Sequence, residues 1–176
     1  MITFDRASTE DELQQILQLQ KANLPSAITS EEKENEGFVT VVHDLKLLKA
    51  MNDVCQHIIA KESNKVVGYA LCMHPKFGDQ IVVLKPMFAE IFKEMNNTNG
   101  WIVMGQICID KAYRKQGIFR GLYSSMQQAI LPEFTTIVTE VDASNVRSLN
   151  AHYGVGFKTL TTYEADGKTW ALIYLD

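Results

Sequence analysis

The residues best suited to chemistry lie in the run Ile107-Cys108-Ile109-Asp110-Lys111-Ala112-Tyr113-Arg114-Lys115-Gln116-Gly117-Ile118-Phe119-Arg120-Gly121-Leu122. An apolar stretch gives way to a basic turn, and a glycine stands where a helix can start. The first turn of a helix has backbone N–H groups without internal partners, and its dipole favours an anion. Gly117 carries no side chain to obstruct close approach to that turn. Arg114, Lys115 and Arg120 add positive charge around it, so a pyrophosphate is the natural occupant. An ordinary strand-to-helix connection with solvated basic residues is the competing reading of this segment alone. The chain has no G-x-x-x-x-G-K-[ST] and no G-x-G-x-x-G opening a parallel βαβ unit, which sets aside two competing phosphate motifs.

About thirty residues on, Asn145, Ser148 and His152 fall at i, i+3 and i+7, one face of a helix. Tyr153 is one residue out of phase and points about 100° away. An imidazole donates a proton when charged, and its reference pKa of about 6.5 suits that role near neutrality. It can equally do no more than pack or hydrogen-bond. Glu140, near the end of a strand, is a candidate general base, acting directly or through water, or else a solvated or paired carboxylate. His74 is a weaker candidate. Cys108 as an acyl-carrying nucleophile has no evident activating partner and reads as inert packing.

The rest of the chain must position these groups. Its 176 residues suffice for one well-buried domain. A net charge of −4 and a pI near 5.6 argue against a general affinity for nucleic acid or anionic membrane. The charge is uneven: Lys111 to Pro132 holds four basic residues and no acidic one, a patch suited to a small anion. No apolar run approaches the roughly 20 residues that span a bilayer, and the first residues lack the pattern of a signal peptide. Cys55, Cys72 and Cys108 are odd in number and widely spaced, which argues against a disulfide framework or a zinc site. A cytoplasmic protein without a metal is the expectation.

Ile2 to Arg6 suits a first strand. Ser8 and Thr9 precede Leu13, Ile16 and Leu17 at helical spacing, with Pro25 ending that helix. Glu31 to Glu36 is weakly patterned, either a loop or a polar helix start. Leu45, Leu48, Met51 and Cys55 line a second helix. His57–Lys61 and Val66–Met73 read as antiparallel strands around Ser63-Asn64. A helix is expected from about Pro86 to Met95, a strand over Trp101–Ile109 and a helix over Gly117–Leu131. Thr135–Val141 follows as a strand and Asn145–Tyr153 as a short helix. Phe157–Tyr163 and Thr169–Leu175 form a closing hairpin around Asp166-Gly167. The order implies one α/β (α+β) domain over 1–176, a mostly antiparallel sheet covered by helices.

The turn at Arg114 to Phe119 resembles the acetyl-CoA signature of the GNAT superfamily of N-acetyltransferases, an R/Q-x-x-G-x-G/A turn after a strand. Arg114, Lys115, Gln116, Gly117 and Ile118 match in place. Phe119 stands where the last small residue is usual, and Lys111 replaces a frequent proline. Glu140-Val141, Asn145, Ser148, His152, Gly156 and Phe157 are similar to the family's later strand and helix, with His152 where a tyrosine is common. Together with the hairpin, the resemblance covers most of residues 57 to 175.

The resemblance implies a sheet whose two neighbouring strands splay into a V, with flanking helices. Residues 1–56 would lie on the acceptor side and 57–176 would form the cofactor core. Ile107, Cys108 and Ile109 would pair with the pantetheine arm, Gln116 to Arg120 would hold the pyrophosphate, and Asn145 and Ser148 would border the cofactor. Acetyl-CoA would be the donor, a primary amine the acceptor, and no metal would be needed. His152 is then the first candidate for the acid that protonates the leaving thiolate, Tyr153 the second, and Glu140 the candidate base. Relatives often form homodimers. The competing function is a non-catalytic CoA-binding regulatory module, to which the departures at Phe119 and His152 point. Residues 75–100 exceed the expected link, and Met73, Phe77, Met87, Phe88 and Phe92 either line an apolar part of an acceptor pocket or fill a core.

Overall fold

The computed structural model describes residues 1–24, 26–27, 29, 39, 41–95 and 100–176. Pro25 and the acidic stretch from Glu31 to Glu36 lie outside them. Seven strands are joined in one sheet: β1 (Ile2–Arg6), β2 (Ile58–Glu62), β3 (Lys65–Met73), β4 (Trp101–Ile109), β5 (Thr136–Asp142), β6 (Lys158–Ala165) and β7 (Lys168–Leu175). Among the described residues there are five α-helices: α1 (Glu10–Ala22), α2 (Leu45–Val54), α3 (Lys85–Glu94), α4 (Ile118–Ile130) and α5 (Val146–Val155). The sheet order is β1-β2-β3-β4-β5-β7-β6, and every pairing is antiparallel except β4 with β5. The mixed, mostly antiparallel sheet with flanking helices agrees with the expectation.

Local chemistry explains the element ends. Thr9 and Glu12 form a reciprocal capping box that starts α1, and the helix finishes at Ala22 with Asn23 as its cap. Asp166 and Gly167, both at positive φ, make the tight turn that joins β6 to β7. Residues 75–100 contain two short 3₁₀ turns, Pro75–Phe77 and Val82–Leu84, and then α3.

The sheet separates two apolar layers. Leu13, Ile16, Leu48, Met51, Met87 and Ile91 cover one face, with Trp101, Val103 and Val138 beneath them. Ile118, Leu122, Met126 and Ile130 of α4 cover the other, over Ile102, Met104 and Ile137. Each such side chain contributes roughly 1.5–3 kcal/mol by leaving water. Gly121 lets α4 approach β1, since a Cβ there would meet the Phe4 ring at 2.1 Å. It therefore serves packing. Met73, Phe77, Met87 and Phe88 are buried in the first layer, and Phe92 lies half exposed on α3. Of the two readings, the core filling holds for Met73, Phe77, Met87 and Phe88.

Two irregularities shape β4. Its register with β3 slips between Ala70 and Cys72, where two residues of β4, Gly105 and Gln106, oppose one of β3, Leu71. One extra residue in a strand swaps the faces of everything beyond it. Ile102 and Met104 pack beneath α4, yet past the bulge it is Ile107 and Ile109 that do so, while Cys108 faces the α1 side. Gly105 sits at the bulge, where a Cβ would meet Met73 Cε at 2.8 Å.

The second irregularity is the parting of β4 from β5. Their parallel pairing runs only from Trp101–Thr136 to Val103–Val138. At the fork the Thr139 hydroxyl donates to the Met104 carbonyl at 2.9 Å. Beyond it, among the described residues, β4 pairs only with β3 and β5 only with β7.

Candidate active site

Among the described residues, the splayed strands leave the β4 edge from Met104 to Ile109 that faces β5 without a strand partner, an edge able to pair with an amide-bearing chain. After β4, Asp110 caps a 3₁₀ turn (Lys111–Tyr113) through the Ala112 N–H at 3.0 Å. Arg114 then folds back, donating from Nε to the Ile109 carbonyl at 3.3 Å and from Nη2 to Asn23 Oδ1 at 2.8 Å. It fastens the turn to the end of α1. Lys115 and Gly117 both have positive φ, 62° and 79°.

Gly117 opens α4 and Leu84 opens α3 with no side-chain cap, whereas Thr9, Asp44 and Asn145 cap α1, α2 and α5. A glycine in place of a capping side chain costs only a few tenths of a kcal/mol, and the N–H groups it leaves unbonded are open to a bound anion. A Cβ at Gly117 would meet nothing within 4 Å, so the turn's N–H groups border open space.

That space is a cleft of about 400 Å³ between the β4 edge, the α4 start and α5. Among the described residues, four cations line it (Arg114, Lys115, Arg120 and Arg147) and no carboxylate does. Of the residues the sequence assigned to a cofactor, Ile107, Cys108, Ile109, Arg114, Lys115, Gly117, Ile118, Phe119, Arg120, Asn145 and Ser148 line this cleft. Gln116 does not: its amide turns back to the Ala112 carbonyl at 3.2 Å. The sequence reading did not assign Asn23, Val39, Arg147, Asn150, Ala151, Gly154 or Val155. Asn150 had a local signal, its place in the helix opened by Asn145, but Asn23 and Val39 arrive from distant chain. Arg120 Nη2 also bonds the Gly154 carbonyl at 2.6 Å, tying α4 to α5.

Next to the cleft, a narrower gap of about 100 Å³ opens between Met104–Ile107 and Thr139–Asp142. Glu140 lines it and accepts from the Tyr163 hydroxyl. Burial raises the Glu140 carboxyl to about 7, against the opposing pull of the Tyr163 bond, and the same burial raises the Tyr163 phenol. A carboxyl poised near neutrality can take a proton and release it.

The gap's floor rests on a buried polar cluster. Gln106 Oε1, at the bulge, accepts from Tyr69 Oη at 2.6 Å and Gln20 Nε2 at 3.1 Å, and its amide donates to the Val41 carbonyl at 2.8 Å. Gln20 also bonds His43. These residues hold the bulge and the chain at Val41 in register.

His152 reaches the wall of the gap but is 2% exposed and ringed by Phe119, Tyr123 and Phe157. Its Nδ1–H donates to the Ser148 carbonyl at 2.7 Å, so Nε2 accepts from the Tyr123 hydroxyl at 2.8 Å. Burial lowers its pKa to about 4. The imidazole is neutral with both nitrogens occupied, an arrangement that offers no proton to the gap. Tyr153 lies away from it, half exposed, its hydroxyl on Thr159 Oγ1 at 2.9 Å. His74 caps a 3₁₀ turn and stacks edgewise on Phe134, also outside the gap. Burial raises the Cys108 thiol to about 12, which leaves no thiolate for nucleophilic work.

A sequence profile of the Acetyltransferase (GNAT) family matches residues 13–157, and the chain belongs to that family. No curated protein matches it by sequence. Among solved structures, a putative acetyltransferase of the GNAT family from Desulfovibrio desulfuricans is 13% identical, with 100% of this chain and 99% of that one covered and a TM-score of 0.68. A putative acetyltransferase from Salmonella typhimurium, solved with acetyl-CoA, is 15% identical over 99% and 93%, with a TM-score of 0.66. The ribosomal-protein-S18-alanine N-acetyltransferase from Escherichia coli is 15% identical over 99% and 93%, with a TM-score of 0.64. At such identities the likeness is one of fold. Among the described residues no helix is long and apolar enough to cross a membrane.

Proposed function

We propose that this protein transfers an acetyl group from acetyl-CoA to a primary amine by direct attack. The observation that carries the reading is the fork: an unpaired β4 edge leads straight to an uncapped helix start in a cleft lined by four cations. The β4 edge at Ile107, Cys108 and Ile109 offers alternating N–H and C=O groups to the amides of pantetheine. The N–H groups at Gly117 to Arg120, with Lys115, Arg120 and Arg147 around them, suit the pyrophosphate. Acetyl-CoA supplies an activated thioester whose thiol leaves at little cost, its free pKa being about 8.5.

Glu140 acts as the base. It takes a proton from the acceptor nitrogen, directly or through water, as the N–C bond forms and the C–S bond breaks, and passes it to solvent. Tyr163 holds the carboxyl in place. His152 braces α5 against Phe119 and Tyr123 and stays neutral. With His152 and Tyr153 both turned elsewhere, the departing sulfur takes its proton from water. That same absence favours one other reading, a CoA-binding module without turnover.

Acetyl-CoA at saturation should raise the unfolding temperature, and equal concentrations of phosphate or ATP should do so less. No shift with acetyl-CoA sinks the cofactor assignment. A shift without thiol release against any amine class leaves the binding module.

A further inference from the structure

A cavity of about 410 Å³ lies on the α3 side of the sheet, within the range of roughly 300–1,000 Å³ usual for small-ligand sites. Val41, Glu140 and Trp170 line both this cavity and the gap at the fork, so it opens onto the reaction centre from the side opposite the cationic cleft. One wall is apolar: Val42, Ile81, Val83, Leu84 and Pro86, four of them from the 3₁₀ turn and its flanks at the start of α3. Val42 and Val83 are 68% and 55% exposed, branched aliphatic side chains turned toward a concavity and left to water. The inner end is the Glu140 carboxyl. Among the described residues Lys168 is the one cation on the wall, and Asp142 holds it at 2.8 Å. Asp166 also lines the cavity, at its exposed rim in the hairpin turn, where solvent screens its charge.

We propose that this cavity receives the acceptor and that the acceptor is a primary monoamine with an apolar alkyl or arylalkyl body, its nitrogen at Glu140 and its body along the Val42–Val83 wall. The inference rests on the acetyltransferase reading and narrows it. A polyamine or aminoglycoside would lay a second, strongly hydrated ammonium along the valine wall, where it gains no apolar contact. A short hydrophilic amine would reach Glu140 and leave the wall wet.

The test uses the protein saturated with CoA, titrated with n-propylamine through n-hexylamine and with spermidine. Trp170 on the cavity wall reports binding by fluorescence, since Trp101 is sealed in the core at 1% exposure. Thiol release from acetyl-CoA is measured in parallel. Affinity should rise about three- to fourfold per added methylene. Val83→Asp should flatten that slope, and so should Val42→Asp, both at exposed positions where folding tolerates the change. Affinity independent of chain length, or spermidine bound as tightly as hexylamine, overturns the assignment. Hexylamine bound with the expected slope yet never acetylated leaves the pocket standing and removes the catalytic reading. Spermidine acetylated in preference to hexylamine does the reverse.

Discussion

Replacing Glu140 by glutamine keeps the side chain's shape and an acceptor for the Tyr163 hydroxyl while removing the charge. Burial raises the folded carboxyl from 4.5 to about 7, so the folded protein keeps this proton over a range where the unfolded chain has lost it. The contribution of Glu140 to stability is therefore largest below pH 4.5, falls as pH rises to about 7, and stays low above that. At about 1.4 kcal/mol per pH unit the full penalty is about 3 kcal/mol, and residual solvent contact reduces it to about 1–3 kcal/mol. Glu140→Gln should thus match the parent near pH 4.5 and exceed it at a pH of about 8.5, by about 3–10 °C in Tm for a chain of this size. Comparing the two proteins at each pH by circular dichroism cancels every other titrating group. The same variant should lose about 10²–10⁴-fold in kcat/KM, together with the rise in rate centred near pH 7. A variant no more favoured at high pH than at low, with the parent's pH–rate profile intact, would refute both the buried carboxyl and its role as base.

Gly117→Ala should cost about 1–2 kcal/mol, because a side chain at φ 79° is strained although nothing crowds it; thermal melts with and without acetyl-CoA should show a reduced ligand-induced shift. His152 should show a single neutral Nδ1–H tautomer by nitrogen NMR at a pH of about 6, and an imidazolium there would contradict the Tyr123–His152–Ser148 arrangement. Burial lowers His43, His57 and His152 to about 4, so each contributes stability that is present above about 6.5 and lost as pH falls through that window. Acid titration of the folded protein should accordingly show destabilisation setting in below about pH 6.5. Cys55 should alkylate first, since the neighbouring Cys72 thiol lowers its pKa and it is only half buried, while Cys72 and Cys108 stay silent until unfolding. Mass spectrometry after brief iodoacetamide treatment reads this directly.

The parts legible in the sequence are those whose signal is local. A basic turn with Gly117 between an apolar strand and an amphipathic helix announces an anion site within a dozen residues, and the cleft forms there. Asn145, Ser148 and His152 share a helix face because 3.6-residue periodicity is a property of the segment itself. Asp166-Gly167 specifies its hairpin in two residues.

What the tertiary structure alone decided depends on chain that arrives from elsewhere. The bulge at Gly105–Gln106 inverts the faces of Ile107 to Ile109, and it is held by Gln20, Val41 and Tyr69 from three other segments. Arg114, read as a phosphate ligand, also locks the turn to Asn23, some ninety residues earlier. His152 had the right type and spacing for an acid, yet Phe119, Tyr123 and Phe157 close around it and keep it neutral. Residue type supplies a functional group, but desolvation and hydrogen-bond partners set its protonation state, and both belong to the folded surroundings. The same holds for Glu140: its position on β5 was visible in the sequence, and the burial that raises its carboxyl toward neutrality exists only once the sheet and α3 have come together.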